Sequence, residues 1–184
     1  MTCVAAIAIK GEVHMMGDSA GVAGLDLSLR TDRKVFRVGT VIMGFTSSFR
    51  MGQLLQYNLS VPRYHPDMDL FAYMVTAFIP AVRDCLKSGG YTRIDNNEEH
   101  GGCFLVGIKG RLFQVQSDFQ VGESHYPFDA VGCGAPYALG ALSVLIDDES
   151  RTPEQALSCA LLRAERFSAG VRRPFHYETL EATP

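Results

Sequence analysis

The sequence predicts an α+β fold: a four-layer αββα sandwich in which two antiparallel sheets pack face to face and helices flank each outer side. Three observations carry that expectation. Strand-like apolar runs come in adjacent pairs joined by glycine-containing turns, as antiparallel hairpins do. The helical segments follow the strands in two pairs instead of alternating with them, as a parallel sheet would require. At 184 residues, 47% hydrophobic and 20% charged, the chain has the size of one core and shows no interdomain linker, so residues 1–184 read as a single domain.

Residues 3–9 are a small and β-branched apolar run, Lys10-Gly11-Glu12 a turn, and residues 13–16 resume the run before Gly17-Asp18, which reads as a hairpin. Because it starts at the second residue, the N-terminus is held in a sheet. Residues 21–30 read as a loop, and residues 34–38 and 41–45 as a second hairpin about Gly39-Thr40. From Ser47 the period becomes helical through Phe49, Leu54, Leu55, Tyr57 and Leu59, with Ser47 or Ser48 as N-cap and Val61-Pro62 as the stop. A polar connection, residues 64–69, leads to a long helix from about Asp69 to Lys87, where Pro80 predicts a kink or a lost hydrogen bond. Residues 89–102 are the most polar stretch, expected as a flexible loop with a solvated tip at residues 95–100. Residues 104–108 and 112–115 form a third hairpin, 118–126 a loop and 128–131 a strand. A glycine-rich turn then opens a helix over 137–146, and Thr152 caps a last helix from Pro153 to about Ser168. Residues 175–180 end the order as a strand.

Composition excludes several functions. Net charge is -3 and the pI about 5.9, with Lys and Arg scattered, so nucleic acid is not an expected partner. The apolar runs are too short to cross a bilayer and no secretory signal opens the chain, so the expected location is cytoplasmic. Five cysteines and five histidines stand apart, without a CxxC or HExxH pattern, which predicts neither a disulfide scaffold nor a metal or other cofactor.

Thr2 carries the candidate chemistry. Thr is small enough for methionine aminopeptidase to remove Met1, which would leave a hydroxyl and a free α-amine on one residue. An α-amine with a pKa of about 7.7–8.0 is a suitable base for its own hydroxyl at neutral pH. Many chains begin Met-Thr for no catalytic reason, so Thr2 alone decides nothing. Asp18, however, ends the second strand and so returns beside the start of the first. Lys34 opens the next hairpin, where an inward ammonium needs a carboxylate and Asp18 is the candidate; alone, Lys34 reads equally as a surface lysine.

Thr2, Gly17-Asp18, Lys34, Gly44-Phe45, Gly132-Cys133-Gly134 and residues 165–170 together resemble the proteasome β-subunit family of N-terminal-nucleophile (Ntn) hydrolases. The resemblance spans essentially the whole chain, and the layout is most like the bacterial two-component ATP-dependent protease subunit and bacterial proteasome-like homologues. It implies Thr2 as nucleophile, Asp18 and Lys34 as its catalytic partners, and the Ser48 N–H as oxyanion donor. It further implies Cys133, Glu165 and Ser168 as supporting groups and Gly21, Asp32, Thr46 and Arg50 as the substrate pocket. The implied partners are a polypeptide substrate, further copies in a ring or helical homo-oligomer, and a separate ATPase unfoldase, since this chain has no Gly-x-x-x-x-Gly-Lys-[Ser/Thr] loop. The sequence departs from the family pattern where Ser47-Ser48 replaces glycine, Cys133 replaces serine and Glu165 replaces aspartate. Asp32 and Arg50 read equally as an internal ion pair or as solvated charges. Two alternatives follow: a noncatalytic assembly subunit, and an Ntn amidase acting on a small amide.

Overall fold

The computed structural model describes residues 1–96 and 98–181; Asn97, inside the expected polar tip, lies outside them. Strands β1 (Val4–Ile9) and β2 (Glu12–Gly17) form the first hairpin. β3 (Ala20–Ala23) and β4 (Asp26–Leu29) pair with each other, so the expected loop here is a hairpin instead. Its two-residue turn is Gly24-Leu25, with Gly24 at φ 59°, the conformation that a tight hairpin turn asks of its first central residue. β5 (Val35–Val38) and β6 (Val41–Phe45) follow, then α1 (Phe49–Tyr57), whose N-cap is Ser48.

The long helix expected over 69–87 is three consecutive segments. Asp69 caps α2 (Leu70–Tyr73), a π-helical turn occupies Met74–Phe78, and α3 (Ile79–Ser88) continues from it. Pro80 has no N–H to give the preceding turn, and the chain widens into the π-helical form immediately before it. The polar stretch holds two short paired strands, β7 (Arg93–Asp95) and β8 (Glu98–His100), in place of an unstructured loop. β9 (Phe104–Ile108), β10 (Arg111–Val115), β11 (Val121–Glu123) and β12 (Phe128–Val131) come next, β11 lying within residues expected as loop. α4 (Ala135–Leu145) starts earlier than its apolar pattern because Pro136 sits in its first turn, where a missing N–H does no harm. α5 (Pro153–Phe167) opens with a full Thr152/Gln155 capping box, and β13 (His176–Leu180) ends the order.

One sheet runs β12-β1-β2-β13 and the other β11-β10-β9-β6-β5. Three buried clusters explain how they pack. Phe45, Met51, Leu54, Phe78 and Phe104 join the five-stranded sheet to α1–α3. Cys3, Ala5, Ile7, Leu142, Leu157 and Leu161 join the four-stranded sheet to α4 and α5. Val4, Ala6, Val13, Met15, Val35, Ile42 and Leu105 come from both sheets and lie together. Burying each such large side chain contributes about 1.5–3 kcal/mol. The two-residue alternation along β1 assigns Cys3, Ala5 and Ile7 to the helix side and Val4 and Ala6 to the sheet side, so Thr2 shares the side of Val4. Gly44 permits close approach there: a methyl group at that position would lie 2.5 Å from Val4 Cγ1 and 2.6 Å from Met15 Sδ. No helix among the described residues is long and apolar enough to cross a membrane.

Candidate active site

The β1–β2 hairpin places Asp18 beside the start of the chain. The Asp18 N–H donates to the Cys3 carbonyl at 3.2 Å, and the Asp18 carboxylate accepts the Cys3 N–H in return at 2.9 Å. The same oxygen, Oδ1, accepts Lys34 Nζ at 2.8 Å, while Oδ2 accepts the N–H groups of Ala20 at 2.9 Å and Arg172 at 3.2 Å. Asp18 is fully buried and Lys34 only 1% exposed. Burial drives the Lys34 ammonium below its ordinary pKa, and the Asp18 carboxylate acts against that shift. One oxygen thus joins a buried cation to the backbone that fixes Thr2, and Thr2, Asp18 and Lys34 come together as the sequence predicts.

On its other side Thr2 meets the glycine-rich turn. Its N–H donates to Cys133 Sγ at 3.3 Å, its carbonyl accepts the Gly134 N–H at 3.1 Å, and the Cys133 thiol donates to that carbonyl at 3.4 Å. Gly132, at φ 99°, carries the chain against the Thr2 carbonyl where any side chain would collide. Ser168 donates from Oγ to Cys133 Sγ at 3.3 Å. Cys133 and Ser168 therefore both belong to the surroundings of Thr2. Cys3 does not: it is buried on the helix side, and burial, then Asp18, pushes its thiol up to about 12.

Two expectations need correction. Glu165 does not support the centre, because its carboxylate turns to Arg173, accepting the backbone N–H at 2.9 Å and lying 2.8 Å from Nε. The Ser48 N–H is not free for an oxyanion, since it donates to the Thr46 carbonyl at 2.8 Å across a γ-turn centred on Ser47 at φ 69°; Ser47 Oγ accepts the Cys103 N–H at 3.1 Å and holds that turn. Of the readings left open for Asp32, the structure shows an ion pair, made with Arg30 and not with Arg50. The Asp32 carboxylate takes a two-pronged contact from Arg30, Nε and Nη2 each at 2.7 Å, which lowers its pKa.

Of the predicted pocket, Thr46 is buried, while Asp32 and Arg50 line a cavity of about 310 Å³ together with Arg33, Phe45 and Gln53. Gly21 lies under the Arg30 side chain. Three participants were not anticipated from the sequence. Arg30 fell in an expected loop, Phe49 read only as helix core, and Arg172 contributes through its backbone N–H, to which side-chain identity gives no clue.

No family model matches the sequence, and no curated protein matches it. Solved structures do. BPH from Thiobacillus denitrificans, solved in complex with epoxomicin, matches with a TM-score of 0.81 at 21% identity over 100% of both chains. HslV from Trypanosoma brucei matches with a TM-score of 0.70 at 18% identity, covering 98% of this chain and 99% of its own. Anbu, an ancestral β subunit, from Yersinia bercovieri matches with a TM-score of 0.65 at 19% identity, covering 98% and 82%. The chain has the fold of the proteasome-like proteins BPH, HslV and Anbu.

Proposed function

We propose that this chain is a threonine peptidase of the Ntn-hydrolase type, a four-layer sandwich that hydrolyses peptide bonds through an acyl-enzyme on Thr2 inside a cytoplasmic homo-oligomer. The observation that supports it most directly is the Asp18 carboxylate shared between Lys34 Nζ and the Cys3 N–H, each within 2.9 Å. A buried, four-donor carboxylate beside a buried lysine is costly to maintain for packing alone.

Removal of Met1 turns the Thr2 nitrogen into an α-amine beside Cys133 Sγ. That amine takes the hydroxyl proton as Thr2 Oγ attacks the scissile carbonyl, and Lys34 favours the neutral amine and the developing alkoxide electrostatically. The tetrahedral oxyanion needs an N–H donor, which Ser48 supplies once the Ser47 turn opens. Collapse expels the leaving amine with the proton from the α-amine, forming an ester on Thr2. Water then hydrolyses the ester and regenerates the hydroxyl. The substrate is an unfolded polypeptide, delivered by a separate ATPase. The similarity to BPH, which was solved with epoxomicin bound, supports this chemistry as an expectation.

A second reading, a noncatalytic assembly subunit, is favoured by the occupied Ser48 N–H and by Glu165 turned toward Arg173. Intact and peptide mass spectrometry after treatment with an epoxyketone separates the two. The peptidase gives a Met1-free chain with one inhibitor mass on Thr2 and none in Thr2→Ala. A processed Thr2 that never reacts establishes the noncatalytic subunit.

A further inference from the structure

We propose that Cys133 is a site of reversible oxidation, where a peroxide converts the thiol to a sulfenic acid that closes onto the α-amine of Thr2 as a sulfenamide and shuts the centre off. The inference rests on the peptidase reading for its consequence, and it adds regulation to that centre. Cys133 is the one exposed cysteine of the five, as a sulfur open to a small oxidant must be. Its Sγ stands 3.3 Å from the Thr2 nitrogen and 3.4 Å from the Thr2 carbonyl oxygen. A separation of about 3–3.5 Å is that of groups poised to react. Backbone holds both partners in place. The Gly134 N–H donates to the Thr2 carbonyl at 3.1 Å, and Gly132, at φ 99°, brings the turn against the same carbonyl. Gly170 leaves room for an added oxygen: a methyl group in its place would lie 2.8 Å from Sγ. The Lys34 ammonium is close enough for its charge to attract that of a Cys133 thiolate, and the thiolate is the form that peroxide oxidises.

Among the described residues, the other groups beside Sγ are poorer partners than the nitrogen. Ser168 gives its hydroxyl proton to Sγ at 3.3 Å, but an alcohol is a weak nucleophile until a base activates it. Cys3 is fully buried on the helix side, and its thiol, pushed up to about 12, carries almost no thiolate at neutral pH. The amine left once Met1 is removed has a free lone pair. The steps balance. Peroxide takes two electrons from the sulfur: the S–O bond forms, the O–O bond breaks, and the departing hydroxide takes the thiol proton and becomes water. The Thr2 amine then attacks the sulfur; the S–N bond forms, the S–O bond breaks, and a second water leaves with one amine proton. A dithiol reverses the change. One of its sulfurs attacks Cys133 Sγ, the S–N bond breaks and the amine recovers its proton; the other sulfur then displaces Cys133 as a thiol, and the dithiol leaves as a disulfide. While the S–N bond lasts, the nitrogen is less basic and tethered to the glycine-rich turn, so the Thr2 hydroxyl has no base.

The test treats the Met1-free protein with hydrogen peroxide and maps its peptides without reductant. The expected product is a cross-link between the N-terminal peptide and the peptide of Cys133, lighter than their sum by two hydrogens and released by dithiothreitol. Cys3 lies on the same N-terminal peptide, so Cys3→Ala is mapped as well. A cross-link that persists there, and in Thr2→Ala, whose α-amine is intact, is the sulfenamide; one that disappears in Cys3→Ala is a disulfide and overturns it. Cys133 found as sulfinic acid without a cross-link overturns it equally. Epoxyketone labelling reads the consequence. It should be lost from the parent in proportion to the cross-linked fraction and return with dithiothreitol. In Cys133→Ser, whatever its starting rate, peroxide should not lower it. Labelling that continues on cross-linked protein refutes the regulation. Reduced protein that never labels removes the peptidase reading alone, because the cross-link in Thr2→Ala does not depend on turnover.

Discussion

Replacing Asp18 with Asn changes one oxygen to an amide and keeps the shape. Oδ1 faces the Cys3 N–H and Lys34 Nζ, while Oδ2 faces the Ala20 and Arg172 N–H groups. Whichever way the amide is turned, its NH2 points at two donors, and the Lys34 ammonium, 1% exposed, loses its counter-charge. Breaking a buried pair from one side costs about 3–5 kcal/mol, because the remaining charge is stranded. A domain of this kind has roughly 5–15 kcal/mol in total, so Asp18→Asn should still fold in the cold. Adding Lys34→Met removes the stranded ammonium and should return about 2 kcal/mol, making the double variant more stable than the single one. Urea unfolding followed by far-ultraviolet circular dichroism, at one protein concentration so that assembly does not enter, measures all three differences. Both variants should fail to react with an epoxyketone, which separates the loss of chemistry from the recovery of stability. An Asp18→Asn protein within about 1 kcal/mol of the parent, or a double variant no more stable than it, would refute the assignment of a buried charge pair.

Ser47→Gly relieves the φ of 69°, worth about 1 kcal/mol, but loses the Ser47 Oγ bond to Cys103, worth a similar amount. Stability should change little while epoxyketone labelling of Thr2 quickens several-fold as the Ser48 N–H is freed; unchanged labelling would show that this turn does not limit the chemistry. Burial holds the imidazoles of His14 and His176 below their ordinary pKa; the Glu12 carboxylate opposes the shift at His14 and Arg33 adds to it at His176. The unfolded chain therefore binds more protons just below the unfolded value of about 6.5, so stability should be flat above it and fall as pH drops through the folded values. Urea midpoints between pH 7.5 and pH 5 should fall in that window by less in His14→Gln, and equal losses in both proteins would remove His14 as a cause.

The strands that bury one face were legible because alternation and burial agree, as in Val4 and Ala6 against Ala5 and Ile7. The β3–β4 hairpin was not, because Leu25, Leu27 and Leu29 are all exposed and no buried face imposed a period on them. Pro80 pointed to a disturbance in its helix but not to its form. Within the site, Thr2, Asp18 and Lys34 were legible because one hairpin brings the two chain positions together and a buried lysine demands a carboxylate. The partners of Glu165 and Asp32 were not legible for a shared reason. Each has an arginine near in sequence, Arg173 and Arg30, and local ion pairs form ahead of more distant ones. The engaged Ser48 N–H depends on a single backbone angle at Ser47, which side-chain identity does not encode.

The contacts around Thr2 join parts of the chain made at very different moments. Thr2 bonds to Cys133 and Gly134, and Asp18 bonds to the Arg172 N–H. At about 5–20 residues per second, translation needs on the order of 10 s or longer to reach that last donor. During that interval the growing chain carries a threonine with half its surroundings unmade. On the peptidase reading proposed above, the full set of contacts around Thr2 and Asp18 forms only after the chain through Arg172 has been made.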